Sequence, residues 1–142
     1  MRRSDLHDLK HFALFAELGD HDREALASEI AVQELNAGET LFAPGDAADA
    51  ALFVVEGELL LCAPDGETGC VGEGASVGVL SLVANTRRET GSEAIGHVRL
   101  FVLTRSAFER IADASPHTAC RLLAALLRDS ADLMRSAATD LG

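Results

Sequence analysis

The sequence predicts an α+β fold in which a roll of β-strands lies between two helical regions. The apolar residues recur with a helical period from Leu6 to Ile30, and the helical period returns after Thr104. Between these regions, short apolar runs alternate with turn residues, which is typical of a β-sandwich or barrel. The chain has 142 residues, 48% of them hydrophobic, so it has the length of one domain and enough apolar side chains for a continuous core. We therefore expect one domain over residues 1–142.

Residues 1–30 are predicted to form the N-terminal helices. Apolar residues recur here at steps of three, at Leu9, Phe12, Phe15 and Leu18. Gly19 breaks this pattern, and Asp20 has the side chain of a helix N-cap, because a carboxylate can accept hydrogen bonds from the first free N–H groups. A second short helix should follow, with Leu26 and Ile30 on one face.

Residues 31–104 are predicted to form the roll. The apolar runs that we interpret as strands cover residues 40–42, 51–55, 59–62 and 98–103. Glu56-Gly57 is interpreted as a turn between two of these strands. The Pro-Asp-Gly sequence at 64–66 is the clearest hairpin turn, because each of its residues favours a turn conformation.

Residues 105–138 are predicted to form two C-terminal helices. Thr104 should cap a short helix that buries Phe108 and Ile111, and Ser115 should cap the longer helix that follows. The longer helix should begin with a proline at its first position, where the missing N–H costs nothing.

The long helix, from Pro116 to about Ala138, carries a seam of small and apolar residues at coiled-coil spacing. Its members are Ala119, Leu123, Leu126, Ser130, Leu133 and Ala137. This spacing predicts a homodimer contact, since Leu122, Leu127 and Met134 widen the apolar face beyond what docking on a small roll needs. The alternative is that the seam packs back on the roll, because an amphipathic helix has one apolar face to bury.

Composition and charge exclude several classes of function. The net charge of −11 opposes binding to nucleic acids and to anionic membrane surfaces, because both depend on Lys and Arg. Cys62, Cys70 and Cys120 lack the spacing of a zinc site, so we expect buried free thiols and no metal. No apolar run approaches the ~20 residues of a membrane span, and the N-terminus does not have the pattern of a signal peptide. We expect a cytoplasmic protein without membrane insertion.

Several segments, in this order, resemble the cyclic-nucleotide-binding domain family. The matching segments are residues 14–18 with 22–26, 37–42 with 44–46, 50–59, and 72–78. The resemblance covers nearly the whole chain. It implies an antiparallel β-roll (a double-stranded β-helix, or jelly roll) flanked by N-terminal helices and a long C-terminal helix. It also places the family's phosphate-binding cassette at residues 72–90.

The resemblance implies the residues of a ligand site. In the family, a Gly-Glu pair begins a short helix and an Arg a few residues later meets the cyclic phosphate, while the Glu accepts a hydrogen bond from the ribose 2′-hydroxyl. Transferred to this chain, the candidate ligand-binding residues are Gly78, Val79, Leu80, Ser81, Arg87, Arg88, Glu89 and Thr90. Arg88 falls on the position of the phosphate-binding Arg, and Leu80 and Leu82 keep the apolar side of the short helix.

Two departures from the family pattern argue against ordinary cAMP or cGMP binding. Val79 occupies the position of the ribose-binding Glu, and losing a hydrogen bond to a charged group costs about 1.5–3 kcal/mol. Glu89 occupies a position where Ser or Thr usually contacts the phosphate, so it would repel phosphate and could pair with Arg88. Arg88 is thus either an anion-binding residue or an ion-paired surface residue.

We find no catalytic constellation and do not expect an enzyme. Ser81 lacks the G-x-S-x-G setting of a hydrolase nucleophile, and the histidines show no H-E-x-x-H spacing. The first hypothesis is a regulatory sensor domain that binds a small anion or no ligand, without a cofactor. The alternative is a ligand-free dimerisation or docking module of a larger regulatory, transport or signalling protein. A catabolite-activator-type transcription factor is disfavoured by the charge and by the few residues after the long helix.

Overall fold

The computed structural model describes residues 8–9, 12–125 and 127–128. Its elements in chain order are helices α1 (Ala13–Ala16) and α2 (Asp20–Ala27), strands β1 (Ala31–Leu35), β2 (Thr40–Phe42), β3 (Ala47–Ala48), β4 (Ala50–Cys62), β5 (Thr68–Val71) and β6 (Ser76–Val77), the 3₁₀-helix η1 (Val79–Leu82), strands β7 (Thr86–Arg87) and β8 (Gly91–Thr104), and helix α3 (Arg105–Ala114). Residues 116–125 form a further helix, α4, and residues 127–128 are also helical.

The strands form an antiparallel roll, as predicted. Six strands share one sheet in the order β1-β8-β4-β5, with β2 paired to β8 and β6 paired to β4. The short strands β3 and β7 pair with each other in a separate two-stranded sheet. With helices before and after the strands, the architecture is the predicted α+β class.

The predicted turn at Glu56-Gly57 is a β-bulge inside one long strand. Strand β4 continues from Ala50 to Cys62, and its register against β8 shifts on both sides of Glu56. Gly57 has φ +88°, and a Cβ atom there would collide with the carbonyl oxygen of His97. A glycine inside an apolar run therefore marks a bulge here, where the chain bends without leaving the sheet. The hairpin turn at residues 64–66 is confirmed, since it joins β4 to β5.

Two apolar clusters cover the two faces of the sheet. One lies between the sheet and the helices and is rich in phenylalanine, with the Phe15 and Phe53 ring centroids 4.9 Å apart. The other lies inside the roll and is aliphatic, with Val54, Leu59 and Leu100 among its fully buried members. Successive residues of β4 alternate between the two clusters, which is why short apolar runs without polar alternation still form strands here.

The helix boundaries follow the predicted caps with one exception. Thr104 caps α3 as predicted, its hydroxyl accepting a hydrogen bond from the N–H of Ala107 at 3.0 Å. At α2, however, Gly19 is the N-cap and Asp20 is the first helical residue. Asp20 still contributes a negative charge in the first turn, where it interacts favourably with the helix dipole.

The described part of the predicted seam packs within its own chain. Ala119 is buried in the helix-side cluster together with Leu122 and Ala125, and Leu123 packs half-buried against it. The prediction that Ala119 contributes to a homodimer contact is therefore wrong, because the residue has no surface left to offer. The remaining predicted seam residues lie outside the described residues; they are Leu126, Ser130, Leu133 and Ala137.

Two expectations about the surface can be compared with the structure. The three cysteines are free, but Cys70 and Cys120 are exposed where we predicted buried thiols. Within the described ranges, no helix combines the length and the apolarity needed to cross a membrane.

A buried carboxylate fastens α4 to α2. Asp22 of α2 accepts a hydrogen bond from the Thr118 hydroxyl at 2.6 Å and forms an ion pair with Arg121 at 2.8 Å. Both Asp22 and Thr118 are 1% exposed. The hydrogen bond from Thr118, helped by Arg121, holds the pKa of the Asp22 carboxyl below its ordinary value although burial acts in the opposite direction.

Because the pKa of Asp22 is lowered on folding, its stabilising contribution is complete above the unfolded-state pKa of about 3.9 and is lost as the pH falls through the lower folded-state value. We expect Asp22→Asn to lower the free energy of unfolding at pH 7 by roughly 1–3 kcal/mol and to flatten its fall in acid. Urea unfolding across pH 2–7 measures both effects. Asp20→Asn, an exposed position of the same helix, is the control, and equal losses in the two variants would contradict the prediction.

Candidate functional site: a cleft beside the 3₁₀-helix

The eight candidate ligand-binding residues lie together around one cleft. The cleft has a volume of about 390 Å³. Its lining includes all of the predicted residues, Gly78, Val79, Leu80, Ser81, Arg87, Arg88, Glu89 and Thr90, and four that the sequence did not identify, Phe42, Ala48, Val77 and Thr86. Val77 and Thr86 belong to strands β6 and β7 within the cassette, whereas Phe42 and Ala48 belong to β2 and β3, which the fold brings to it.

Gly78 begins the 3₁₀-helix and makes room for an arginine. Its φ of +71° is a left-handed conformation that favours glycine, and a Cβ atom there would collide with Nη1 of Arg88. Ser81, three residues later, is buried, and its hydroxyl donates to the carbonyl oxygen of Gly78 at 2.5 Å. Ser81 therefore closes the turn of the 3₁₀-helix with its hydroxyl.

Arg88 is half-buried and held by main-chain and aromatic contacts. Its Nη2 donates to the carbonyl oxygen of Ala50 at 2.9 Å, and its guanidinium carbon lies 4.6 Å from the centre of the Phe42 ring. Burial lowers the pKa of the Arg88 guanidinium, and the nearby carboxylates of Asp49 and Asp46 oppose this effect. The guanidinium is thus a partly desolvated cation, and most of its N–H donors have no acceptor among the residues that the structure describes.

The expected ion pair between Arg88 and Glu89 does not form. Glu89 is exposed on the cleft rim, and no ion pair joins it to Arg88. The Arg88 guanidinium is instead bonded to Ala50 O and packed on the Phe42 ring, whereas Glu89 lies in the exposed bend that follows. Arg87 is also exposed, and its Nη1 donates to the carbonyl oxygen of Gly45 at 2.9 Å.

The apolar residues of the 3₁₀-helix divide between core and solvent. Val79 packs half-buried against the helix-side cluster, and Leu82 is buried within it. Leu80, predicted on the same apolar side as Leu82, is instead 57% exposed. Val79 therefore places an apolar side chain where the family has the ribose acceptor, and the rim of the cleft at Leu80 is apolar as well.

Arg87 and Arg88 differ from most other arginines of the described chain. Each of the following pairs with a carboxylate: Arg23, Arg99, Arg110, Arg121 and Arg128. Within the same described ranges, Arg87 and Arg88 form hydrogen bonds to main-chain carbonyls and no ion pair. In a chain of net charge −11, two adjacent unpaired guanidinium groups on one cleft are a local exception.

Sequence reasoning missed Arg105, which lies behind the cleft. It is the first residue of α3, and its Nε donates to the carbonyl oxygen of Ser81 at 2.7 Å. Its Nη2 donates to the carbonyl oxygens of Ala48 and Ala84, each at 2.9 Å, and its Nη1 to Asn85 Oδ1 at 2.5 Å. A cation in the first turn opposes the helix dipole, and this unfavourable placement is the sequence signal that could have identified Arg105.

The family resemblance can now be compared with known proteins. The sequence profile described as "Cyclic nucleotide-binding domain" matches residues 32–115, which is more than half of the chain. The chain belongs to the cyclic nucleotide-binding domain family. The matched region includes the whole cassette and α3. It also includes every strand of the roll, apart from the first residue of β1.

Solved structures of cyclic nucleotide-binding domains and related proteins share this fold. The N-terminal domain of a transcriptional regulator from Streptomyces coelicolor is 30% identical, with a TM-score of 0.78 over 89% of this chain and 94% of that one. A cyclic nucleotide-binding-like protein from Brucella abortus is 32% identical, with a TM-score of 0.66 over 78% of this chain and 98% of that one. A cyclic nucleotide-binding domain from Methylobacillus flagellatus has a TM-score of 0.82 at 20% identity over 94% of this chain and 80% of that one, a likeness of fold alone.

Among curated proteins, the similarity is to segments of longer chains. An uncharacterized NTE family protein of Mycobacterium tuberculosis is 27% identical over 128 residues, which are 89% of this chain. A lysophospholipase of Aspergillus terreus is 30% identical over 114 residues, 77% of this chain. The chain spans 21% of the length of the mycobacterial protein and 8% of the fungal one.

The position of Arg88 should depend on the absence of a side chain at residue 78. Gly78→Ala is expected to displace the Arg88 guanidinium and to lower the stability by more than the roughly 1–2 kcal/mol of a left-handed non-glycine residue. Gly74→Ala is a matched control, because Gly74 has φ +86° but no atom within 4 Å of the place that a Cβ would take. Chemical denaturation compares the two variants. Equal losses of stability would show that Gly78 is needed for its backbone conformation alone.

Proposed function

We propose that this cyclic nucleotide-binding domain is a non-catalytic regulatory domain whose cleft binds a small anion at Arg87 and Arg88. The observation that carries the proposal is the pair of guanidinium groups on one cleft, neither of which forms an ion pair with a carboxylate of the described residues. The anion would be held chiefly by Arg88, because its half-buried guanidinium is less hydrated than an exposed one and so forms stronger charge-assisted hydrogen bonds.

The lining of the cleft disfavours cAMP and cGMP as ordinary ligands. Val79 offers no acceptor to a ribose 2′-hydroxyl and is packed toward the helix-side core. Glu89 adds a negative charge to the same cleft that a phosphate would enter. A smaller anion has no ribose and does not need an acceptor at position 79. It therefore loses less binding free energy in this cleft than a cyclic nucleotide does.

The proposed regulatory role is supported by the setting of the related domains. The Streptomyces structure is described as one domain of a transcriptional regulator, and this chain spans only 21% of the mycobacterial relative. In both, a domain of this kind is a part of a longer protein. A binding domain of this size acts on such a protein by changing state when its cleft is filled.

Thermal and calorimetric titration tests the proposal with four probes: inorganic phosphate, pyrophosphate, cAMP and cGMP. We expect phosphate or pyrophosphate to stabilise the fold by about 2.7 kcal/mol at a hundredfold excess over Kd, and the cyclic nucleotides to bind weakly. Arg88→Gln should abolish the effect, whereas Arg110→Gln, which removes a surface charge outside the cleft lining, should retain it. Glu89→Ser should strengthen anion binding by about 1 kcal/mol, and Glu93→Ser, also outside the cleft lining, should not.

Two results would contradict the proposal. One is a low-micromolar or tighter Kd for cAMP or cGMP at low salt, which would mean that the two departures from the family pattern do not matter. The other is the absence of any anion effect, or an effect that persists in Arg88→Gln.

A second candidate function is ligand-free pairing or docking through the outer face of α4 and the helical residues after it. The observation that favours it is Leu127, whose side chain is 73% exposed although it belongs to the apolar set of this helix. Ala119 cannot take part, because it is buried in the core of its own chain. Among the described residues of this region, Leu127 is the exposed large apolar side chain that such a contact would use.

We expect Leu127→Asp to convert a dimer to a monomer in sedimentation at tens of micromolar protein, because a buried carboxylate at an apolar contact is costly. Leu80→Asp, a matched substitution at another exposed leucine on the rim of the cleft, controls for the added charge. A monomeric mass for the unmodified chain at this concentration would exclude the pairing.

A further inference from the structure

Three consecutive carbonyl oxygens connect the cleft to the start of α3. Arg105 Nη2 donates to Ala48 O at 2.9 Å, and the Arg105 main-chain N–H donates to Asp49 O at 2.7 Å. The next carbonyl, Ala50 O, accepts from Nη2 of Arg88 at 2.9 Å. The segment Ala48–Ala50 is therefore held on one side by the helix start and on the other by the arginine of the cleft.

Arg105 holds the opposite wall of the cleft as well. Its guanidinium bonds to the carbonyl oxygens of Ser81 and Ala84 and to the side chain of Asn85, which belong to the end of η1 and the loop after it. Ala48 and Ser81 both line the cleft. One planar guanidinium thus bridges two walls of the cleft and fixes their separation.

We propose that Arg105 is a positioning residue of the anion site, which sets the place of the Arg88 guanidinium through Ala48–Ala50 and couples the filling of the cleft to the anchoring of α3. An anion that binds the free N–H groups of Arg88 draws the guanidinium into the cleft and away from Ala50 O. The loss of that hydrogen bond changes the position of a segment whose other two carbonyls are held by Arg105. The coupling to an anion rests on the proposed function, whereas the positioning of Arg88 does not.

Contacts other than those of Arg105 already begin α3 and hold its buried face. Thr104 already caps α3, Phe108 and Ile111 bury its apolar face, and Arg110 pairs with Glu29. A cation at the first helical position is electrostatically unfavourable for the helix itself. The placement is explained by the acceptors that Arg105 reaches across the cleft walls.

The helix provides a path from Arg105 to the C-terminal part of the domain. Phe108 and Ile111 of α3 lie in the same buried cluster as Leu122 of α4. Because packed side chains transmit displacement, a shift at the start of α3 changes the contacts of α4. The cleft is thereby connected to α4 through Arg88, the segment Ala48–Ala50, Arg105 and α3.

The test compares Arg105→Gln and Arg105→Lys with Arg110→Gln, a control on the same helix that removes an equal charge away from the cleft. The first readout is the side-chain Nε–Hε resonance of Arg88 in the free protein, assigned by its loss in Arg88→Gln. The second is the Kd for pyrophosphate. Arg105→Lys keeps the charge but loses the planar fork, and it is the variant to use should Arg105→Gln not fold.

We expect both Arg105 variants to shift the Arg88 resonance and to raise the Kd for pyrophosphate by about fivefold or more, with neither change in Arg110→Gln. An unchanged Arg88 resonance in a folded Arg105 variant would overturn the proposal, since Arg105 would then be a helix anchor only. A shifted resonance with no pyrophosphate binding in the unmodified protein would uphold the positioning of Arg88 and overturn the coupling together with the proposed anion site.

Discussion

Strands β4 and β8 run antiparallel from the pair Ala50–Thr104 to the pair Cys62–Gly91, and the geometry of the cleft follows from where this pairing ends. At one end, Thr104 is opposite Ala50, so the residue after β8 and the residue before β4 meet; these are Arg105 and Asp49. At the other end, Gly91 follows directly on the cassette. A change of register between the two strands would move Arg88 and Arg105 relative to the carbonyls of the segment that they both hold, so the sheet determines the site as much as the cassette does.

The order of elements was predictable because the periods of the apolar residues differ between helices and strands. The cap at Thr104 depends on neighbours a few residues away, and the structure has it as predicted. Phe12 and Leu18, expected at helical steps with Phe15, are buried with it but lie outside the short helix α1. Strand ends were less predictable. Glu56-Gly57 has the composition of a turn, but whether such a glycine turns the chain back or bulges a strand depends on the partner strand, which lies much further along the chain.

The predicted C-terminal helix illustrates a second limit. A seam at coiled-coil spacing fits both a partner helix and the sheet of the same chain, because both present apolar surfaces. At Ala119 the structure has packing within the same chain. The buried hydrogen bond between Asp22 and Thr118 favours it, because this bond fixes which side of α4 faces α2. The two residues are far apart in the sequence, and nothing in the local pattern of either indicates the other.

At the candidate site, the sequence likewise predicted which residues are present but not how their side chains are placed. The family pattern identified which residues surround the cleft, because the cassette is continuous in sequence. It did not indicate that Leu80 faces solvent, that Glu89 stays apart from Arg88, or that Phe42 lies under the guanidinium. These depend on the strands that meet the cassette from elsewhere, and Arg105, which holds two walls of the cleft, lies outside the cassette altogether.

The net charge of −11 affects which anions could enter such a cleft. An approaching anion is repelled by the surface as a whole, but at ~0.15 M salt this repulsion is screened beyond about 8 Å. The attraction to Arg88 acts at contact distance in a half-buried place and is screened much less. For the proposed function, the balance would favour an anion that enters the cleft fully, because one that protrudes keeps part of its charge near the acidic exterior. Selectivity would then come from the whole surface, and affinity from the two arginines.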